Sequence, residues 1–461
     1  MKERNKNNPT NLVRQKLIFL TLGLYSLFAI IVTLFWSGEV INLLLLLSAV
    51  AIFLYSLFVP IYGFFTLLIF RTTFDSLGSE QELFNIFSVS VSLTFLLGAM
   101  LISLAGFEII KRKLKLKDLK VFWPWFLFLG LTAILSLFSF DKQASLVNFF
   151  RLLSFLSAFI FGYLIFDTPK KLTRLAKVII FSAIIPASVA WWQLINRGGF
   201  FDGERWRLLG TFTHPNMLAI YLVLVISLTL FVALNLKKNN VERIPYALLV
   251  VFFTVPLLFT YTRVAWLSLA FILFAVGVYR FRKLLFISLL GVFLLYCFAP
   301  FFQDRIVTLA AISTDDSSSW RLDLWRDIIN YIKLNPWFGY GPGTASVFLK
   351  NNIQRLLVET EPHNDYLRIW LESGIFVLLS YLWIFVDYLK RMWRAFKTET
   401  RPRLKMLIFF LIFFTISLGG TSMTDNVIKD AVMQWEFWAL SGSILMIISL
   451  PHHHKHKKES L

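Results

Sequence analysis

Apolar positions fill this chain in long runs, and the polar positions that separate them are short and mostly basic. Leu17 to Trp36, Val121 to Phe140, Ile244 to Tyr261 and Leu284 to Phe301 each approach the roughly 20 residues that cross a hydrocarbon core as a helix. Backbone groups surrounded by lipid must pair within their own segment, which a helix achieves. The spans read from the pattern are 17–36, 40–58, 60–75, 84–108, 121–140, 145–166, 178–195, 217–235, 244–261, 264–279, 284–301, 373–389, 406–419 and 434–450. The fold class expected is all-α, a polytopic transmembrane helical bundle of about 12–14 spans with a large helical outward-facing loop.

Composition agrees: 57% of the residues are hydrophobic and the mean hydropathy is +0.69, more apolar surface than one or two globular cores could hide. The first run follows Lys2, Arg4, Lys6, Arg14 and Lys16 but is long and lacks a small-residue cleavage site, so an uncleaved span is expected. Cys297 is the single cysteine and allows no disulfide framework within one chain. A net charge of +19 raises nucleic acid as a partner, and the placement of the cations answers it. Seven segments (1–16, 111–120, 167–177, 236–243, 279–284, 390–405 and 451–461) hold 31 of the 46 Lys and Arg, the positive-inside signature of cytoplasmic loops. No nucleic-acid partner is expected.

If those segments share one side, an even number of spans separates each from the next. Parity therefore divides the apolar stretch 40–70 near Pro60 and Gly63, although the second half is short and a re-entrant or tilted piece is also open. The domain reading is a transmembrane bundle over 1–301 with a short outward loop at 196–216, an extracytoplasmic helical loop domain over 302–372, C-terminal transmembrane helices over 373–450, and a basic cytoplasmic tail over 451–461. Both termini are expected in the cytoplasm.

A connection as long as 302–372 is functional or disordered, and its pattern argues for order. Ser317, Ser318 and Ser319 offer N-caps, Trp325, Ile329 and Ile332 recur at helical spacing, and Asn335-Pro336 stops the helix. The run Gly339-Tyr340-Gly341-Pro342-Gly343 predicts a turn, and a second helix follows over about 344–358. Pro362 suits the first position of a third helix, which would put His363 in its first turn, where the helix dipole disfavours the imidazolium form. A neutral imidazole there is a competent general base; an interfacial histidine bonded to the backbone is the plainer alternative. Only His214 and His363 lie outside the tail. Arg263, Arg321 and Arg207 fall in outward, aromatic-rich segments, either as surface or snorkelling arginines or as a planar cationic fork for a diphosphate. No Asp-x-Asp occurs, and Asp315, Asp316, Glu359 and Glu361 lack accompanying ligands at metal-site spacing, so a metal-independent displacement is expected without cofactor.

Gly210-Thr211-Phe212-Thr213-His214-Pro215-Asn216, Thr262-Arg263-Val264-Ala265-Trp266, the stretch Trp320 to Trp325 with Pro336 to Gly343, and Pro362-His363-Asn364-Asp365-Tyr366-Leu367 followed by Glu372-Ser373-Gly374 stand in an order that resembles the O-antigen ligase and polymerase family of bacterial membrane glycosyltransferases. The resemblance covers roughly residues 200 to 375. It implies a glycosyltransferase C type fold and an undecaprenyl-diphosphate-linked glycan as donor. It also implies a metal-free outward-facing site in the bacterial inner membrane, and it carries catalytic roles to His363, Arg263 and Arg321. Arg207, Asn364, Tyr366 and Asp425, in the turn Thr421-Ser422-Met423-Thr424-Asp425-Asn426, are the expected substrate-binding residues. The reaction implied is an inverting transfer to an acceptor hydroxyl. The acceptor is a lipid A core for a ligase, the growing glycan for a polymerase, or a protein hydroxyl for an oligosaccharyltransferase. The reading from another class is a lipid-linked glycan flippase, which would keep its cations in a central cavity rather than on outward loops.

Overall fold

The computed structural model describes residues 39–80, 82–86, 89–114, 116–236, 241, 243–298, 303, 319–353 and 361–449. The expected span 17–36 and the basic tail lie outside these residues. The chain begins with α1 (Glu39–Phe58), α2 (Pro60–Thr73), a short α3 (Asp75–Glu80), an antiparallel hairpin of β1 (Glu82–Ile86) and β2 (Val89–Ser92), and α4 (Leu93–Lys111). A 3-10 segment (Leu116–Phe122) leads into α5 (Trp123–Leu137), then α6 (Lys142–Ile165), α7 (Pro169–Ser182) and α8 (Ile184–Ile195). A minimal hairpin of β3 (Phe200–Phe201) and β4 (Trp206–Arg207) precedes α9 (Pro215–Asn235), α10 (Arg243–Phe259), α11 (Arg263–Tyr279) and α12 (Arg282–Phe298). The last third holds α13 (Ser319–Leu334), α14 (Ala345–Asn352), α15 (Asp365–Thr398), α16 (Pro402–Thr421), a 3-10 turn (Val427–Lys429) and α17 (Ala431–Ser449).

Among the described residues, eight helical stretches are long and apolar enough to cross a membrane, with three shorter apolar helices beside them. The protein is a polytopic helical membrane protein. Its middle is α17, packed against α6 so closely that a methyl at Gly162 would fall 2.2 Å from the Ala439 carbonyl oxygen and one at Gly442 2.2 Å from that of Phe159. Small residues at such a crossing let two backbones approach where no hydrophobic force drives helices together in lipid. Trp435 and Trp438 of α17 are buried, and Trp435 Nε1 donates to Ser154 Oγ of α6. The periphery is apolar outward, as Phe286, Ile287, Leu289 and Phe293 of α12 show.

Two expectations need correction. The span expected at 84–108 opens as a hairpin, because Ser88, Ser90 and Ser92 alternate with Val89 and Val91, a strand period inside an apolar stretch. The helix begins only at Leu93, capped by Ser92 Oγ, which accepts from Phe95 N–H. The helix expected over 344–358 ends at Asn352. The division at Pro60 is present. α2 starts where Phe64 and Phe65 stack near Phe166 and finishes where the Thr211 hydroxyl donates to the Thr72 carbonyl. It therefore crosses from one end of the bundle to the other.

Those ends differ in chemistry. Lys120, Tyr163, Arg391, Arg394 and Ser449 converge at one end, and Lys405 and Tyr279 reach Phe396 there too, so five of the basic segments meet. At the other end, segments 72–76, 207–216, 259–263, 336–345, 361–372 and 419–430 are stitched together. Ser76 N–H donates to Thr211 O, Leu208 N–H to Phe259 O, Ser145 Oγ to Pro342 O, and Asp365 N–H to Ser422 O.

Candidate active site

The loop domain rests on an amphipathic α13. Its buried face is Leu324, Ile328 and Ile332, joined by Ala345, Phe348 and Leu349 of α14 and Leu371 of α15. Ile329, expected on the apolar face, is exposed, since the stripe runs one residue earlier, from Leu324. The loop is then clasped to α15. This helix breaks at Gly374, with φ 74° and ψ 179°, and the turn after α13 crosses the break. Tyr340 N–H donates to Leu371 O at 3.0 Å, Gly341 N–H to Glu372 O at 2.7 Å, and Ile375 N–H to Pro336 O at 3.0 Å. The Glu372 carboxylate accepts from Gly343 N–H and Ala345 N–H at the start of α14, and from Arg368 Nε. A carboxylate at a helix start meets unpaired N–H groups and the positive end of the dipole.

His363 is brought in by this frame in a way the sequence did not suggest. It lies outside α15, which begins at Asp365 with Asn364 as its cap, so the helix-dipole argument for a first-turn histidine does not apply. Its backbone is left-handed, φ 48°. The loop is pinned by Trp325 Nε1, which donates to Pro362 O at 2.8 Å. The imidazole Nδ1 lies 3.7 Å from Asp425 Oδ1, both side chains buried, and the Trp320 ring stands edge-on to the imidazole at 5.8 Å. Arg321, beside that tryptophan, donates from Nη1 to Thr424 O at 3.2 Å and carries its guanidinium over the Trp320 ring. His363, Asp425 and Arg321 thus meet at the turn 421–426. Burial opposes ionisation of Asp425. The His363 contact and charge, the Asn426 N–H and the charge of His214 outweigh it and hold the carboxyl below the usual aspartate range.

Arg263 and Arg207 form a neighbouring group. Arg207 Nε donates to Thr260 O at 2.8 Å and its Nη2 to Asn216 Oδ1 at 2.7 Å, while Thr262 Oγ1 bonds the same Asn216 oxygen. Arg263 follows Thr262 as the first residue of α11, and α11 touches α16 through Ser268 and Thr421, directly before the Asp425 turn. His214, which caps α9 by accepting from Asn216 N–H, is near enough for its charge to act on Asp425. Of the expected substrate-binding residues, Asn364 Oδ1 accepts from Tyr366 N–H and Leu367 N–H, and Tyr366 donates its hydroxyl to Gly419 O.

Sequence reasoning missed the ionic layer beneath this turn. Glu361 receives Lys429 Nζ, lies 3.1 Å from Arg368 Nη1 and accepts from Ser346 and Asn426. Burial opposes its charge, but Arg368 and Lys429 hold its carboxyl well below the usual range. Arg151 of α6 acts electrostatically on Arg368, Glu361, Glu372 and Arg71, and Arg71 pairs with Asp75. A signal was present, since ionisable residues inside expected spans are functional candidates by default, and Arg151 sits within 145–166.

Three comparisons with known proteins bear on this geometry. Residues 247–382 match a family model described as O-antigen ligase, a segment that contains Arg263, Arg321, His363, Asn364 and Tyr366 and stops short of Asp425. A protein of Rickettsia felis named "Putative polysaccharide ligase" is 27% identical over 177 residues, and a similarly named protein of Rickettsia conorii is 24% identical over 177 residues. Each match spans 36% of this chain and 40% of the relative's length. Residues 247–382, the part that spans α11, the clasped loop and His363, are an O-antigen ligase domain carried by a bundle of membrane-length helices.

Proposed function

We propose that this protein is an inverting, metal-independent glycosyltransferase of the bacterial inner membrane, moving a glycan from an undecaprenyl-diphosphate carrier to an acceptor hydroxyl at the non-cytoplasmic face. The carrying observation is His363 held against Asp425 with Arg321 on the same turn. A carboxylate facing Nδ1 favours the proton there and leaves Nε2 as the base. The acceptor hydroxyl gives its proton to Nε2 while its oxygen attacks the anomeric carbon, and the bond to the diphosphate breaks with inversion. Arg321 and Arg263 stabilise the charge that grows on the leaving group, and their guanidinium forks suit phosphate oxygens. Arg207, Asn364, Tyr366 and Asp425 shape the site around donor and acceptor. The family match supports the reaction class, and the likeness to proteins named as polysaccharide ligases supports a glycan as cargo.

The acceptor favoured is a lipid A core, as for an O-antigen ligase. The test is purified protein in lipid, given undecaprenyl-diphosphate glycan with a lipid A core, a growing glycan or a protein acceptor in separate reactions, with the product read by gel. Transfer to the first acceptor is expected, while transfer only to the second or third makes the protein a polymerase or an oligosaccharyltransferase. His363→Ala is expected to lower the rate about 10²–10⁴-fold with the protein still inserted and abundant. Undiminished transfer by that variant would overturn the assignment.

A further inference from the structure

At the end of the bundle away from His363, the lead-in to α5, the C-terminal part of α15 and the end of α17 enclose a cavity of about 430 Å³. That is the size of a small-molecule site, roughly 300–1,000 Å³. Its polar wall is cationic, with Lys120, Arg391 and Arg394, and its apolar wall is Val121, Leu445 and Ile448. Two charges nearby are already spent. Arg391 Nε donates to Asp387 Oδ2 at 2.6 Å, and Glu399, almost fully buried, is gripped by Arg401 through Nε at 2.8 Å and Nη2 at 2.7 Å. Lys120 and Arg394 have no acidic side chain within ion-pair distance among the described residues. Two uncompensated cations therefore face one cavity, beside three aliphatic side chains at the ends of membrane-length helices.

We propose that this cavity binds the phosphate of an anionic phospholipid, its headgroup against Lys120 and Arg394 and the start of an acyl chain along Val121, Leu445 and Ile448. Basic pockets between helices at a membrane surface recognise such headgroups by charge and by desolvation of the glycerol region. The chemistry recognised is a phosphate monoanion, which a free phosphate shares, but the aliphatic wall selects the lipid.

The test is native mass spectrometry of the full-length protein in detergent with phosphatidylglycerol, phosphatidylcholine of the same chains, or inorganic phosphate in excess. Phosphatidylglycerol is expected to bind about ten- to thirty-fold tighter than phosphatidylcholine and to resist displacement by phosphate. Lys120→Ala with Arg394→Ala should bring it to the phosphatidylcholine level, whereas Lys397→Ala, on the same helix but outside the cavity, should leave the preference intact. Elution as a single folded species qualifies each variant, and Arg394→Gln alone serves if the double variant fails to fold. No preference in the wild type, a preference that survives loss of the two cations, or displacement by inorganic phosphate would each overturn the proposal.

Discussion

The left-handed backbone of His363 turns its side chain away from the axis of α15 and towards Asp425. Asparagine tolerates that conformation better than most residues, so His363→Asn should insert and elute like the wild type yet lose transfer, separating chemistry from backbone geometry. Asp425 makes the pH dependence specific. Its folded value lies below the ordinary 3.8, so its carboxylate adds stability at every pH above that value and loses it as pH falls through the folded one. The difference in melting temperature between wild type and Asp425→Asn should hold steady at neutral pH and collapse below about pH 4. Lys429 runs the other way. Burial, with repulsion from Arg368, brings its ammonium down to about 8 from 10.5, against the pull of Glu361. The unfolded chain therefore holds that proton more tightly, and the destabilisation is complete below pH 8 and relieved as pH rises towards 10.5. Relative to Lys429→Met, the wild type should gain melting temperature across that interval, and a flat difference would contradict the reading. His363, Arg321 and Asp425 were legible from motif and side of the membrane. Glu361 was not, because its partner Lys429 is 68 residues away and neither residue carries a local pattern.

At the scale of elements, the clasp between the 336–343 turn and the break in α15 decides whether the site assembles. A methyl at Gly374 would fall 1.9 Å from the Trp337 carbonyl oxygen, in a backbone with φ 74° that side chains rarely adopt. Gly374→Ala should therefore yield little folded protein, while Gly420→Ala, where the added methyl meets nothing within 4 Å, should yield normal amounts; fluorescence-detected size exclusion compares them. Removing Arg368 would leave Glu361 and Glu372 buried beside one fewer cation, a loss of about 3–5 kcal/mol for such pairs. The glycine-rich run was readable as a turn, and its partner was not, since backbone-to-backbone contacts leave no trace in side-chain periodicity. The hairpin 82–92 escaped for a related reason, its alternation being submerged in a window of high average hydropathy.

Across the whole molecule, the clustering of basic loops marked one end correctly, and the candidate catalytic residues gather at the other. In a Cys297→Ser background, Trp337→Cys and Lys397→Cys, at exposed positions of opposite ends, should react with an impermeant thiol reagent from opposite sides of sealed vesicles. Labelling of both from one side would break the two-ended topology on which the proposed outward site rests. The number of crossings was harder to read than their polarity, because α2 needs only 14 residues to pass between the ends and α7 and α8 form one stretch of 27. The clasp also constrains how this loop can be exchanged between relatives. A graft that splices in residues 319–353 alone would seat a foreign turn on a native kink, with Gly374 and Glu372 facing strangers. Working recombinants should have their downstream junction beyond Ile375, so that acceptor-specificity swaps travel with the top of α15 rather than with the loop by itself.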